Sequence, residues 1–189
     1  MNNKPVLKNK MVVFPPLEVL RKGQNIVTQN AGQVAMGRDL LPGATWLARL
    51  DMEVFLPSYG VNLQREEVWT LQQKGGLIES ILMNRSIPPL VLNIHIKKDD
   101  GIDVLDGKQR LTAIIQFLRG DVKFPIFGDE WTFNELPEEY KKAILRWEIC
   151  ARRGEDLTEE EMIQVFTSIN FLGTPQDEQH KNRLLNMIQ

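Results

Sequence analysis

Apolar and polar positions alternate legibly along this chain only beyond residue 50. Residues 1–50 show weak periodicity, with Gly, Gln and Asn scattered through RKGQNIVTQNAGQVAMGRD, which predicts an irregular N-terminal arm with short ordered pieces. MEVFL (52–56) then predicts a strand and PSYGVN a turn. LQQKGGLIESILMNRS (71–86) places Leu71, Leu77, Ile78, Ile81 and Leu82 at helical spacing despite its Gly75–Gly76 pair, and Ile87-Pro88-Pro89 ends that helix. LVLNIHI (90–96) puts Leu90, Leu92, Ile94 and Ile96 in one phase and Asn93 and His95 in the other, the pattern of a half-buried strand with His95 facing outward. After a polar turn at 97–101, IDVLD predicts the second strand of a hairpin, and Leu111, Ile114, Ile115 and Leu118 form the apolar face of a helix that stops at Gly120.

Short strands around a turn are expected in VKFPIFGDEWTF, and a helix in PEEYKKAILRWEI, opened by Pro137 with acidic residues in its first turn. Thr158 and Glu161 have the spacing of a capping box ahead of MIQVFTSIN, and QDEQHKNRLLNMI predicts a last amphipathic helix. Strands and helices mixed in this irregular order give an α+β fold, a small mixed sheet with surrounding helices over residues 51–189.

Composition narrows the function classes. A chain of 189 residues with 42% hydrophobic and 25% charged residues is that of an ordinary soluble domain, with no apolar run of membrane-spanning length and no secretory cleavage pattern, so a cytoplasmic location is expected. Cys150 has no partner for an internal disulfide, and His95 and His180 alone make no zinc cluster. A net charge of −2 argues against a surface coated with base, although Lys4, Lys8, Lys10, Arg21, Lys22 and Arg38 make the arm basic enough to touch a phosphate backbone. A solvated tail is the plainer account of that arm.

The candidate chemistry lies in VLDGKQRLTAIIQFLRG (104–120), where Asp-Gly-Lys-Gln-Arg stands between strand and helix. A helix N-terminus exposes unpaired N–H groups and carries the positive end of the helix dipole, so it favours an anion, above all phosphate. Gly107 allows a tight bend and close approach, Arg110 offers a planar fork of donors, Gln109 adds an amide, and Asp106 could be cap, metal ligand or base. The same residues also fit a helix simply capped by Asp106, with Arg110 on the surface.

The segment resembles the DGQQR-L-T signature of the N-terminal domain of GmrSD-type restriction enzymes, a family related to the ParB and sulfiredoxin fold. LQREEVWT (63–70) is similar to the family's Q-R-x-x-V-W segment, LIESILMNRSIPPLVL (77–92) to its helix, I-P-P and strand, and VFTSINFLGTPQDEQ (165–179) to its F-x-x-I-N-x-x-G segment. The resemblance implies a ParB-like nucleotide-binding domain in a bacterial cell, encoded by bacterium or phage. Asp106 and Glu178 would be its catalytic carboxylates, and Gly107, Lys108, Gln109, Arg110, Arg65 and Asn170 would hold nucleotide phosphates. The ligand would be a nucleoside triphosphate with Mg²⁺, and DNA, a nuclease subunit or another defence-system protein would be the macromolecular partners. Plainer roles exist for Arg65 as a surface residue, Asn170 as a helix C-cap before Gly173, Glu178 as solvated helix surface and Trp69 as core.

Two departures mark this chain within that resemblance. Lys108 stands where the signature has its first glutamine, and Pro175 intervenes before Glu178. With only His95 and His180, the sequence leaves no room for the family's HNH nuclease domain, so DNA cutting by that route is not expected. Two functions follow as alternatives: an NTP-binding and NTP-hydrolysing domain in DNA restriction, or a non-catalytic DNA- or protein-binding module, such as a regulator or a phage-encoded interfering protein.

Overall fold

Leu90–Ile94 (β5) and Ile102–Asp106 (β6) pair antiparallel through Leu92 opposite Val104 and Ile94 opposite Ile102, as the hairpin reading predicts. The computed structural model describes residues 32–36 (backbone only), 47–64, 66–95, 101–171 and 186. Of the strands before this pair, β1 (Gly32–Met36) and β2 (Leu50–Asp51) join its sheet, as does β9 (Glu148–Glu155) after it. Together they form a mixed five-stranded sheet in the order β1-β9-β5-β6-β2, with β9 parallel to β5 and β2 parallel to β6. β1 is a short ordered piece within the expected arm, paired antiparallel with β9.

Successive side chains of a strand point to opposite faces, and both faces here are covered. Leu90, Leu92, Ile102 and Val104 face α1 (Leu71–Leu82), α2 (Lys108–Arg119) and α3 (Glu138–Arg146) in one core. Val91 and Leu105 face α4 (Glu159–Phe171) and the small pair β3 (Phe55–Leu56) and β4 (Val61–Asn62) in a second core. The half-buried strand predicted for 90–96 is thereby corrected. Asn93 is 0% exposed, lying beneath α4, where its amide donates to Asp103 Oδ2 at 2.9 Å and its carbonyl oxygen accepts from the Leu157 N–H at 3.0 Å. Asp103 also meets His95 Nε2 at 2.9 Å, so His95 is the half-exposed end of a polar network. A buried polar group tolerates this position only because each of its atoms finds a partner.

Local signals account for most helix ends. Thr70 and Gln73 form a capping box that starts α1 at Leu71, with Gln73 N–H donating to Thr70 Oγ1 at 3.3 Å and Thr70 N–H to Gln73 Oε1 at 2.9 Å. Thr158 and Glu161 do the same for α4, and Gly120 ends α2 in the left-handed region at φ +77°. β7 (Phe124–Ile126) and β8 (Asp129–Trp131) form the expected hairpin. Two expectations fail. MEVFL is not one strand, because Val54 sits at φ +47° between β2 and β3, held there by its own burial and by Asp51 Oδ1 accepting from its N–H at 3.1 Å. The helix predicted through Glu148 and Ile149 stops at Arg146, and these residues open β9, where Ile149 and Ala151 enter the core in alternation. The helix predicted in QDEQHKNRLLNMI lies outside the described residues apart from Asn186, as does the basic stretch of the arm. Among the described residues no helix is long and apolar enough to cross a membrane.

Gly75 explains why a helix carries a glycine pair that costs it about 1 kcal/mol per residue. A Cβ on Gly75 would lie 2.0 Å from the Pro125 carbonyl oxygen, so the glycine lets α1 close against β7. Gly75→Ala is expected to destabilise the domain by about 2–3 kcal/mol in urea unfolding, whereas Gly76→Ala, which meets nothing within 4 Å, should not destabilise it.

Candidate functional site at the strand-to-helix turn

β6 ends at Asp106 and α2 begins at Lys108, so Gly107 makes the whole turn. Its φ of +102° lies in the left-handed region, and a Cβ on it would fall 2.2 Å from Leu90 Cδ2. Glycine is needed for both reasons, conformation and close packing. What approaches it from the sheet side is Leu90. Just upstream the β5–β6 register slips between Val91 and Leu92, leaving Leu105 as an extra residue, a bulge that aims the end of β6. The carbonyl oxygens of Val104 and Leu105 both accept from Gln64 Nε2, at 2.6 and 2.7 Å.

No side chain caps α2 at its N-cap residue. The cap role considered for Asp106 is not what its carboxylate does: Asp106 Oδ2 accepts from Arg110 Nη2 at 2.6 Å, one turn ahead. Arg110 is not a loose surface residue either, since its side chain is 11% exposed and its Nη1 donates to the Pro88 carbonyl oxygen. Among the described residues, no side chain accepts from the first N–H groups of α2, which keep the donor surplus and positive dipole end of an open N-terminus.

Gln109 binds backbone. Its Oε1 accepts from the N–H groups of Val68 and Trp69 at 3.1 and 3.3 Å, and its Nε2 donates to the Glu66 carbonyl oxygen at 3.0 Å. The side chain thus serves the extended 66–69 segment as a neighbouring strand would. Two turns further along α2, Gln116 Oε1 accepts from Lys74 Nζ at 2.8 Å, and both residues engage the Glu67 carboxylate. Lys108 turns its buried side chain to Glu53, with Nζ and Oε1 2.7 Å apart. Trp69 packs against the core beneath this segment.

The segments 63–70, 87–89 and 104–110 therefore meet at one junction, and α4 of the fourth segment packs Val165 and Phe166 with Leu105 in the second core. A model of the family described as GmrSD restriction endonuclease, N-terminal domain, matches residues 54–188. The chain belongs to this family. No curated protein and no solved structure matches it. Membership links this GmrSD N-terminal domain to restriction.

The expected site residues divide into three groups. Asp106, Gly107, Lys108, Gln109 and Arg110 form the turn itself, and the partners of this junction, Glu53, Gln64, Glu66 and Pro88, come from segments that no local pattern joins to it. Asn170 falls within α4, while Arg65 and Glu178 lie outside the described residues. Cys150, on β9, is partly buried; desolvation and then the Glu148 charge push its thiol pKa up, which disfavours a nucleophilic thiolate. Among the described residues no three His, Cys, Asp or Glu side chains are grouped to hold a metal ion.

Gln109→Leu should remove the clamp on the 66–69 segment. The expected loss is about 1 kcal/mol per hydrogen bond in urea unfolding, with faster amide exchange at Val68 and Trp69 and unchanged exchange in the β7–β8 hairpin.

Proposed function

We propose that this GmrSD N-terminal domain binds a nucleoside triphosphate at the 106–110 turn and hydrolyses it in the service of a DNA restriction system. The observation that carries this reading is the uncapped N-terminus of a twelve-residue helix entered through left-handed Gly107, with Lys108 and Arg110 in its first turn. Phosphate oxygens would accept from the N–H groups of residues 108–110, and the Arg110 fork, already oriented by Asp106 and Pro88, would take a further oxygen. Phosphoryl transfer asks the protein mainly to position the reactants and neutralise charge, which suits a site of backbone donors, cations and a carboxylate. Asp106, 36% exposed beside those donors, is the group to orient a water molecule or to ligate Mg²⁺. Mg²⁺ commonly arrives on the phosphates with most of its shell supplied by them and by water, so one protein carboxylate suffices. The sequence resemblance is what brings Glu178 and Arg65 into this proposal, as a second carboxylate and a further cation; both lie outside the described residues.

One observation favours a second reading. Every side chain from Asp106 to Arg110 already has a partner inside the fold, so the turn can also serve as a structural knot in a non-catalytic module that binds DNA or protein.

Calorimetric titration with ATP, GTP, CTP and UTP in the presence of Mg²⁺ separates the two. The nucleotide reading predicts binding of at least one of them, weakened at least about tenfold in Arg110→Ala and less in Arg110→Lys, which keeps charge without the fork. Circular dichroism and melting of both variants report whether the fold survives. Absence of binding to all four nucleotides by the native protein would overturn this reading in favour of the second.

A further inference from the structure

The Lys108–Glu53 pair is strongly asymmetric: the lysine side chain is 8% exposed and the glutamate 63%. A buried ammonium requires an anion, whereas a carboxylate on the surface can be hydrated at little cost when it lets go. The backbone that carries Glu53 is fixed. Asp51 Oδ1 accepts from the N–H groups of Glu53 and Val54 at 2.8 and 3.1 Å, and Val54 is anchored in the second core. Releasing Lys108 therefore takes only a rotation of the Glu53 side chain.

Two other cations near the turn, among the described residues, are held differently. Lys74 shares Glu67 with Gln116 in a three-way network, and Arg110 has the Pro88 carbonyl oxygen besides Asp106. Among the described residues Glu53 is the one partner of Lys108 Nζ. Glu53 also stands one residue before the span matched by the family, 54–188.

We propose that Glu53 is an internal competitor for the phosphate site: it neutralises Lys108 while the site is empty and yields that cation to a phosphate oxygen when nucleotide binds. The proposal rests on the nucleotide reading of the turn. Its consequence is a site whose affinity is held down by its own carboxylate and which favours the densely charged triphosphate over the monophosphate, because only a strong anion displaces Glu53.

The test is calorimetric titration of inorganic triphosphate into the native protein, Glu53→Gln, Lys108→Gln and the double variant, with circular dichroism to verify folding. Glu53→Gln should bind about two- to fivefold more tightly than the native protein, the scale of one exposed ion pair. Lys108→Gln should bind more weakly, and adding Glu53→Gln to it should change nothing further. Equal or weaker binding by Glu53→Gln overturns the competitor role while leaving the site intact. An equal gain in the Lys108→Gln background overturns it too, since the effect would then be general surface charge. Binding by neither the native protein nor Glu53→Gln removes the phosphate site itself, and the competitor with it.

Discussion

β6 passes into α2 across a single left-handed glycine, and the rest of the domain is arranged around the polar groups that this junction exposes. A strand that ends in a bulge leaves carbonyl oxygens without ladder partners, and a helix that begins without a cap leaves N–H groups in the same condition. Gln64 satisfies the first set, at Val104 and Leu105. No side chain among the described residues takes the second set, while the side chains that follow Gly107 reach outward to bind three other segments: Lys108 to Glu53, Gln109 to residues 66–69, Arg110 to Pro88. Three of the segments singled out along the chain, 63–70, 87–89 and 104–110, are thus one hydrogen-bonded assembly.

That assembly stands on a sheet covered on both faces. α1, α2 and α3 bury one side, while α4 and the β3–β4 pair bury the other, so β5 and β6 are central in both layers. Burial fixes the direction of β6 and hence of the Gly107 turn. The Asn93–Asp103–His95 network lies on the α4 face of these strands, and the Leu157 N–H that Asn93 accepts ties the start of α4 to the sheet.

Much of this was legible along the chain where the signal is local. The capping boxes at Thr70 and Thr158, the glycine stop at Gly120 and the hairpins at 90–106 and 124–131 depend on neighbours within a few residues, and the structure has them all. What escaped depends on distant partners. The start of β9 reads as helix because PEEYKKAILRWEI forms one run along the chain, and EICARRGE becomes a strand only between β1 and β5. Asn93 looked like a solvent-facing position until α4 covered it, and the break in MEVFL comes from a left-handed Val54 that no propensity anticipates. At the turn, the residue types pointed to a phosphate-binding junction, but the backbone clamp by Gln109 and the pairing of Lys108 with Glu53 join residues 40 or more positions apart, beyond the reach of any local pattern.

The central claim is that the open N-terminus of α2 receives phosphate while the side chains around it hold the site together. Backbone amide chemical shifts of the isotopically labelled protein, followed as a nucleoside triphosphate and Mg²⁺ are added, test it most directly. The account predicts that the largest shifts fall on the N–H groups of Lys108, Gln109 and Arg110, with Val68 and Trp69 keeping their bonds to Gln109. Saturable shifts centred elsewhere, with those three amides unmoved, would contradict it.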